Sequence, residues 1–571
     1  MASSATENAD TFDYVLVGAG AAGSILAARL TEDPQSSVCL LEAGPRDWHP
    51  LLHIPAGFIK VLFNPDFTWQ FSSEPTGNTN GRRVPIPVGR TLGGSTSING
   101  LVYNRGLPSD FDAWADAGNR GWGYADVLPY FKRSERKIGV GDAAFHGRVG
   151  EQAVTDMDWF HPICEAFITG AAGHGIPPNR DYNGESQLGV GYFQRTIANG
   201  WRQSAARAFL RSAMRRRNLD VRTKAQATQI MFDGKRANAV RYRAGGSRGA
   251  ENTVRAGREI ILCAGAMNTP KLLQLSGVGP AALLQSIGVP VIRDLPGVGE
   301  NLRDHYSVRM VAKVKGSTTI NELARGVRLA GQIGRWLRGR PNILALSPSL
   351  VHWFWKSRPE LALPDLQGVF TPASYREGYV GLLDDYPGMT CGVWQHRPRS
   401  VGHVRARSPD PADAPIVQPN YLEDPHDRKV LVSGLHTARL LLRTPELAAF
   451  FDHETLPGKD VTTDDELLDY ARRLGVSCYH VMGTARMGPA DDQAAVVDDG
   501  LRVHGIEGLR VVDASIMPDI PSANTCASTM MVAEKATDMI RGRPPLPREM
   551  TDNVASAMEG RRTRARGERV H

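Results

Sequence analysis

The sequence predicts an α/β fold, α+β overall: a mostly parallel, doubly wound sheet that is discontinuous in sequence, with a smaller unit built on an antiparallel sheet plus helices. Three observations predict it. A short apolar run, Tyr14-Val15-Leu16-Val17, precedes a glycine cluster, a helical stretch from Ser24 to Leu30 and a second apolar run from Val38 to Glu42, which together make a βαβ unit. A further apolar run, Glu259 to Ala264, again ends in a glycine turn at Gly265. After a change of style near residue 306, a strand-like run from Leu509 to Ala514 returns late in the chain, so the first unit is split.

Size and composition agree with this division. At 571 residues the chain exceeds what one core supports, so two or more units are expected. Hydrophobic residues at 42% and charged residues at 22% place it among soluble globular proteins. The net charge of +7 is modest, and no nucleic-acid motif or aromatic-interleaved basic run accompanies it, so no nucleic-acid partner is expected. Much of the excess sits in Arg541, Arg543, Arg548, Arg561, Arg562, Arg564, Arg566 and Arg569. This basic tail reads as solvated and flexible, with weak contact to an anionic membrane surface as the alternative. The six cysteines form no C-x-x-C pair, so neither a metal site nor a disulfide framework is expected, and most read as small buried residues. No secretory leader and no apolar run of membrane-spanning length is present, so a cytoplasmic location is expected, with the periphery of the inner membrane as the alternative.

The elements follow in order. Residues 50–110, rich in proline and glycine, read as long ordered loops held against a ligand. Residues 202–218 read as a helix, and 219–243 as strands turning at Asp233-Gly234. Strands are expected near 307–314, 366–371 and 402–407, and helices at 425–443, 464–474 and 525–541. The nucleotide-binding unit is therefore assigned to 12–160, 200–305 and 476–545, the substrate unit to 161–199 and 306–475, and the tail to 546–571.

Gly18-Ala19-Gly20-Ala21-Ala22-Gly23 fits G-x-G-x-x-G between a strand and a helix. Gly18 permits the tight turn, Gly20 lets backbone approach a pyrophosphate, and Gly23 lets helix and strand pack closely. Ala21 and Ala22 open a helix whose unpaired N–H groups suit phosphates. Glu42, at the end of the second strand with Ala43 after it, suits ribose hydroxyls and repels a 2′-phosphate. This is a Rossmann-like dinucleotide site, and the fingerprint alone does not separate FAD from NAD.

Three further segments carry a resemblance: Gly89 to Asn99 (GRTLGGSTSIN), Gly265 to Gly279 (GAMNTPKLLQLSGVG), and the C-terminal pair His480-Val481-Met482-Gly483-Thr484 with Ser522-Ala523-Asn524-Thr525. In that order they resemble the signatures of the glucose–methanol–choline (GMC) oxidoreductase family, with bacterial choline-dehydrogenase-like and alcohol-dehydrogenase-like members closest in overall look. The resemblance implies FAD. It places Arg90, Gly93 and Gly94 against the cofactor and Asn99, Gly100, Leu101 and Val102 near the flavin ring. It brings Ala227 to face adenine and Asp513-Ala514 to the pyrophosphate side, with Thr525 beside the cofactor. Read without the family, Asp513 is a helix cap or turn residue. Family members with covalent FAD carry a histidine where this chain has Ile98, so non-covalent FAD is expected.

The resemblance makes His480 the catalytic base and Asn524 the group that holds the substrate oxygen while hydride passes to flavin N5. Histidine suits the first role because its pKa lies near neutrality, and an amide N–H suits the second. The expected reaction is oxidation of a small primary alcohol to the aldehyde. A quinone or dye-like carrier is the favoured electron acceptor, oxygen the alternative, and a hydroxynitrile lyase the rival of another class. Tyr479 either lines the pocket or packs. His504 reads as structural, and Cys478 and Cys526 as small core residues. Trp69, Trp353, Trp355 and Trp394 are the aromatics available for a choline cage, which also needs a carboxylate. The residues leave choline, benzyl-type and aliphatic alcohols open.

Overall fold

The computed structural model describes residues 10–246, 249–377 and 382–549. Its first sheet runs in the order Leu219–Thr223, Val38–Glu42, Thr11–Val17, Ala250–Leu262, Arg236–Ala244, Ala225–Asp233, and Leu509–Val511 pairs with Ala250–Leu262. The apolar runs Tyr14–Val17 and Val38–Leu41 pair in parallel, as do Val17 with Leu262 and Leu262 with Val511. Burial on both faces is what such uninterrupted apolar strands require. The strands around the Asp233-Gly234 turn pair antiparallel, so the sheet is mixed. The helices Ala21–Leu30 and Thr525–Ile540 pack on each other in the same core as the central strands. Within the second helix Glu534 is fully buried, held by Arg29 and Arg133.

The second sheet is antiparallel, in the order Phe451–Leu456, Tyr306–Val314, Gly388–Gln395, Leu366–Thr371, Val351–Trp355, Gly189–Tyr192. Val476–Ser477 joins it beside Tyr306–Val314, so the segment assigned from residue 476 to the nucleotide unit begins on the other sheet. The helix Pro425–Leu442 buries its apolar side against Val393 and Leu366 of this sheet, where Gly434 leaves no room for a side chain.

Some elements differ from expectation. Residues 50–110 contain an antiparallel hairpin, Thr68–Ser72 with Pro85–Gly89, and not loops alone. The helix expected over 202–218 spans only Ala206–Leu210, as a π turn, and Arg211–Ala213. Upstream, the amides of Arg202 and Gln203 are taken by the carbonyls of His53 and Thr196, which holds that backbone extended. The expected tail begins docked: Leu546 N–H donates to Tyr130, and Arg548 pairs with Asp126 at 3.0 Å. Arg561, Arg562, Arg564, Arg566 and Arg569 lie outside the described residues. Among the described residues no helix is long and apolar enough to cross a membrane.

Candidate active site

A cavity of about 400 Å³ lies at the carboxyl ends of the parallel strands and extends beneath the second sheet. That is where an open α/β sheet leaves its crevice, because helices cover both faces but not the strand ends. Val17, Glu42, Cys263 and Asp513, each at or just past a strand end, line it.

Its floor is built from close backbone contacts. Gly18 has φ +103°, and a Cβ there would stand 2.5 Å from the Cys263 carbonyl oxygen. Gly94 has φ +52°, and its Cβ would meet the Gly20 Cα at 2.7 Å. No other residue type fits either position. Gly23 and Gly93 do not line the cavity. Gly23 packs the helix on the Gly18 carbonyl, and the Gly93 N–H ties the second loop to the Ala19 carbonyl at 2.8 Å. Arg90 is likewise off the cavity surface, with its guanidinium 4.8 Å from the Trp69 ring centroid.

Three helix N-termini open on this space: Ala21–Leu30, Gly265–Leu275 and Thr525–Ile540. None is capped by its own N-cap side chain and none has an acid in its first turn, although Asp513 takes the Gly265 N–H. Natural helices usually satisfy these N–H groups locally, so the bare ends at Ala21 and Thr525 make a donor set for an anion. Glu42 accepts from the amides of Ala19 and Gly44 at 2.9 and 2.8 Å, and burial pushes its carboxyl up to about 7. Asp513 does both things the sequence left open. It lines the cavity beside Ala514, and it caps the turn Ala514–Ile516 through Ser515 while accepting from Gly265 N–H and Thr269. Ala43, Ala227, Asn99, Gly100, Leu101, Val102 and Thr525 all line the cavity, as does Ile98. The glycine cradle, the bare helix ends and the ribose-suited carboxylate fit a dinucleotide diphosphate such as FAD.

At the far end His480 and Asn524 converge. The Asn524 amide nitrogen lies 2.8 Å from His480 Nε2, and Asn524 Oδ1 is buried without a partner. Two buried carboxylates, which sequence reasoning missed, fix this pair. Asp304 accepts the His480 backbone N–H at 2.8 Å and also the hydroxyls of Ser477 and Tyr421. Asp110 accepts both the N–H and the hydroxyl of Ser522, two residues before Asn524. Burial raises Asp304 to about 6 despite its donors. Tyr479 takes φ +63°, a costly conformation for a tyrosine, which turns His480 off the end of Val476–Ser477.

His305 was also missed. Its Nδ1 lies 2.9 Å from His480 Nδ1, and its Nε2 lies 2.7 Å from the His396 carbonyl oxygen. A carbonyl only accepts, so Nε2 of His305 carries the proton and its Nδ1 is the acceptor. Nδ1 of His480 must then be the donor, which leaves the Nε2 lone pair facing the cavity. Burial, with His305 adding to it, holds His480 well below the ordinary histidine pKa, and burial brings His305 down to about 4. Both rings are neutral at physiological pH. The available signal was the Asp304-His305 pair at the head of an apolar strand, since polar residues in such a place need partners.

Around this end the cavity is lined by Phe58, Leu62, Val369, Trp394 and Tyr479, with Arg309 lying over the Tyr375 ring. Of the tryptophans, Trp69 and Trp394 line it, while Trp353 is fully buried and Trp355 packs on the second core. Cys478 and Cys526, expected as core packing, face the cavity. Among the described lining residues the acids are Glu42 and Asp513. His504 bonds the Gly488 carbonyl away from this space.

Comparison with known proteins identifies the family. Sequence models described as GMC oxidoreductase match residues 12–307 and 398–533. The alcohol dehydrogenase [acceptor] of Pseudomonas putida is 40% identical over 93% of this chain and 95% of its own length. An oxygen-dependent choline dehydrogenase of Escherichia coli is 39% identical over 94% of this chain and 97% of its own. The crystal structure of pyridoxine 4-oxidase from Mesorbium loti superposes with a TM-score of 0.84 at 30% identity, covering 94% of this chain and all of that one. With both halves of the family pattern matched and full-length relatives near 40% identity, the chain belongs to the GMC oxidoreductase family, whose members are FAD-dependent enzymes acting on alcohols.

Proposed function

We propose that the chain oxidises a small, uncharged primary alcohol to the aldehyde, with His480 as the base, Asn524 as the oxygen-positioning donor, and FAD bound without a covalent link. The observation that carries this reading is the contact between Asn524 and a His480 Nε2 that bears a lone pair on the cavity wall. Bound FAD supplies the acceptor for the hydride. The protein does the rest. The alcohol hydroxyl takes over the Nε2 lone pair and gives its proton there, and the Asn524 N–H turns to the oxygen as negative charge develops. A neutral base in a buried site is ready for this at neutral pH. Gly18, Gly20 and Gly94, with the helix ends at Ala21 and Thr525, would hold the diphosphate, Glu42 would hold a ribose, and Asn99 to Val102 would wall the ring.

The lining favours a neutral substrate over choline. A quaternary ammonium seeks aromatic faces and a nearby carboxylate. Glu42 belongs to the dinucleotide end and Asp513 already accepts from four donors, so the described lining offers a cation no available carboxylate. A quinone or dye-like carrier is the proposed acceptor, supported by the acceptor-type name of the Pseudomonas relative.

The test is anaerobic mixing of the FAD-loaded enzyme with benzyl-type alcohols, aliphatic alcohols and choline, followed by loss of visible flavin absorbance. Neutral alcohols are expected to bleach it at lower concentration than choline, and His480→Ala is expected to bleach at least about 100-fold more slowly. A preference for choline would overturn the substrate assignment. Unimpaired bleaching in the variant would overturn the base. Reoxidation of the bleached enzyme by air faster than by dye would overturn the acceptor.

A further inference from the structure

The helix Gly326–Leu337 has no buried residue. Leu329, Gln332 and Trp336 face the body, and Trp336 is anchored by its ring N–H to the Gly200 carbonyl at 3.0 Å and by edge contact with Trp201. The neighbouring side of the same helix carries Val327, Ala330, Ile333 and Leu337 into solvent, with Val327 88% and Leu337 73% exposed. At 100° per residue these four fall on one continuous arc beside the anchored residues. Arg328, Arg335 and Arg338 occupy the remaining arc, and Arg325 and Arg340 bracket the helix. From residue 323 to residue 359 the sequence contains no Asp or Glu. The neighbouring acids stand at its N-terminal end: Glu322 pairs with Arg328, and Asp384 and Asp385 offer their carbonyls to Arg325.

An exposed apolar stripe costs free energy in water unless something covers it, and here its borders are arginines, with the neighbouring acids gathered at the N-terminal end. A protein core would not want those charges, and a second copy would set arginine against arginine. A bilayer surface with anionic headgroups matches both parts, because acyl chains take the stripe and phosphates take the arginines. We propose that the helix Gly326–Leu337 lies in the plane of an anionic bilayer and docks the enzyme on it. The helix is joined to the active cavity: it packs on Ile343–Ala345, which packs in turn on Pro55–Gly57, and Pro348 and Phe58 beyond these two turns line the cavity wall. The helix is a separate segment of the sequence from the C-terminal arginines.

The experiment is flotation of the full-length, FAD-loaded enzyme with phosphatidylcholine vesicles that either contain or lack phosphatidylglycerol. Binding is expected only to the phosphatidylglycerol vesicles, with release at high salt. Val327→Ser with Leu337→Ser is expected to weaken partitioning about tenfold, through lost apolar insertion. Arg328→Ser with Arg335→Ser and Arg338→Ser is expected to weaken it comparably and to flatten its salt dependence. Both variants lie on solvent-facing positions, so flavin content and dye reduction with a water-soluble alcohol are expected to stay unchanged. Failure of the wild-type enzyme to float would overturn the proposal. So would equal flotation of both variants, binding that disappears only when residues 550–571 are removed, or a dimer that dissociates in the Val327→Ser, Leu337→Ser variant.

Discussion

His305 and His480 face each other through their Nδ1 atoms at 2.9 Å, with ring planes 84° apart. Two neutral imidazoles can make that contact only if one supplies the proton. The His396 carbonyl decides which, by fixing the proton of His305 on the opposite nitrogen. In the proposed reaction His305 is therefore a positioning residue, which acts by setting the tautomer of His480.

Replacing it should expose that role. In His305→Ala the Nδ1 partner is gone, the His480 ring is free to rotate or exchange tautomers, and kcat/KM is expected to fall about 10- to 100-fold with FAD content intact. The pH profile carries the sign. His480 in the parent lies well below its ordinary value, so activity is expected to hold through neutrality and fail only in acid. Removing the neighbouring ring lifts one cause of that depression. The acid limb should move to higher pH in the variant. An acid limb that stays put while activity falls would mean His305 merely fills space.

Asn524 gives a second handle on the same atom. Asn524→Asp sets a carboxylate against Nε2, where an amide N–H stood at 2.8 Å. An anion beside the ring favours the imidazolium, so the His480 pKa is expected to rise and the protonated, inactive form to spread toward neutral pH. Asn524→Ala removes the donor without adding charge. It is expected to cost about 10²- to 10³-fold in kcat, with no such shift of the profile. Steady-state profiles of the two variants, measured together, separate the effects. Equal profiles would show that Asn524 does not face the base in solution.

The fold was legible because its signals are local. The apolar runs at Tyr14–Val17, Val38–Leu41 and Ile260–Leu262 and the glycine fingerprint each state their own conformation, and the strands at 366–371 and the helices at 425–442 and 464–474 emerge nearly as read. His480 and Asn524 are singled out by their motifs, and the fold brings the two side chains together. What was hidden depends on partners far along the chain. Asp304, Asp110 and His305 look like ordinary polar residues until the fold buries them beside Ser477, Ser522 and His480. The helix read over 202–218 shortened for the same reason, because carbonyls at His53 and Thr196 outbid helical bonds for its first amides.

The cofactor end is testable without turnover. Gly94→Ala would force a methyl group to within 2.7 Å of the Gly20 Cα at a left-handed backbone position. The two loops that close on the dinucleotide must then separate. The purified variant is expected to carry much less flavin per polypeptide, read as the ratio of visible to ultraviolet absorbance, while its circular dichroism stays close to the parent. Full flavin occupancy would show that the loops do not need that approach.

Ile98 offers no atom that can bond to the flavin, and it is buried among Leu52, Val61, Leu62 and Phe67. Acid precipitation of the yellow enzyme is therefore expected to leave the flavin in the supernatant. A coloured pellet that survives washing would place a covalent link elsewhere on the chain.

His352 tests how acid acts on the second unit. Its ring is fully buried, 4.5 Å from Tyr182 and close to Phe193 and Phe354, and burial brings its pKa down to about 3. The unfolded chain binds a proton there below about pH 6.5, whereas the folded chain refuses it until about pH 3. Between those values the unfolded state holds more protons, so stability falls as pH falls. The contribution lost by about pH 5 is about 2 kcal/mol. His352→Phe keeps an aromatic ring in the cluster and removes the titration. Whatever the substitution does to stability at neutral pH, the thermal midpoint of the variant should gain on the parent as both are acidified. Parallel losses in the two proteins would mean that the ring takes up its proton in the folded state and that the cluster opens to admit it.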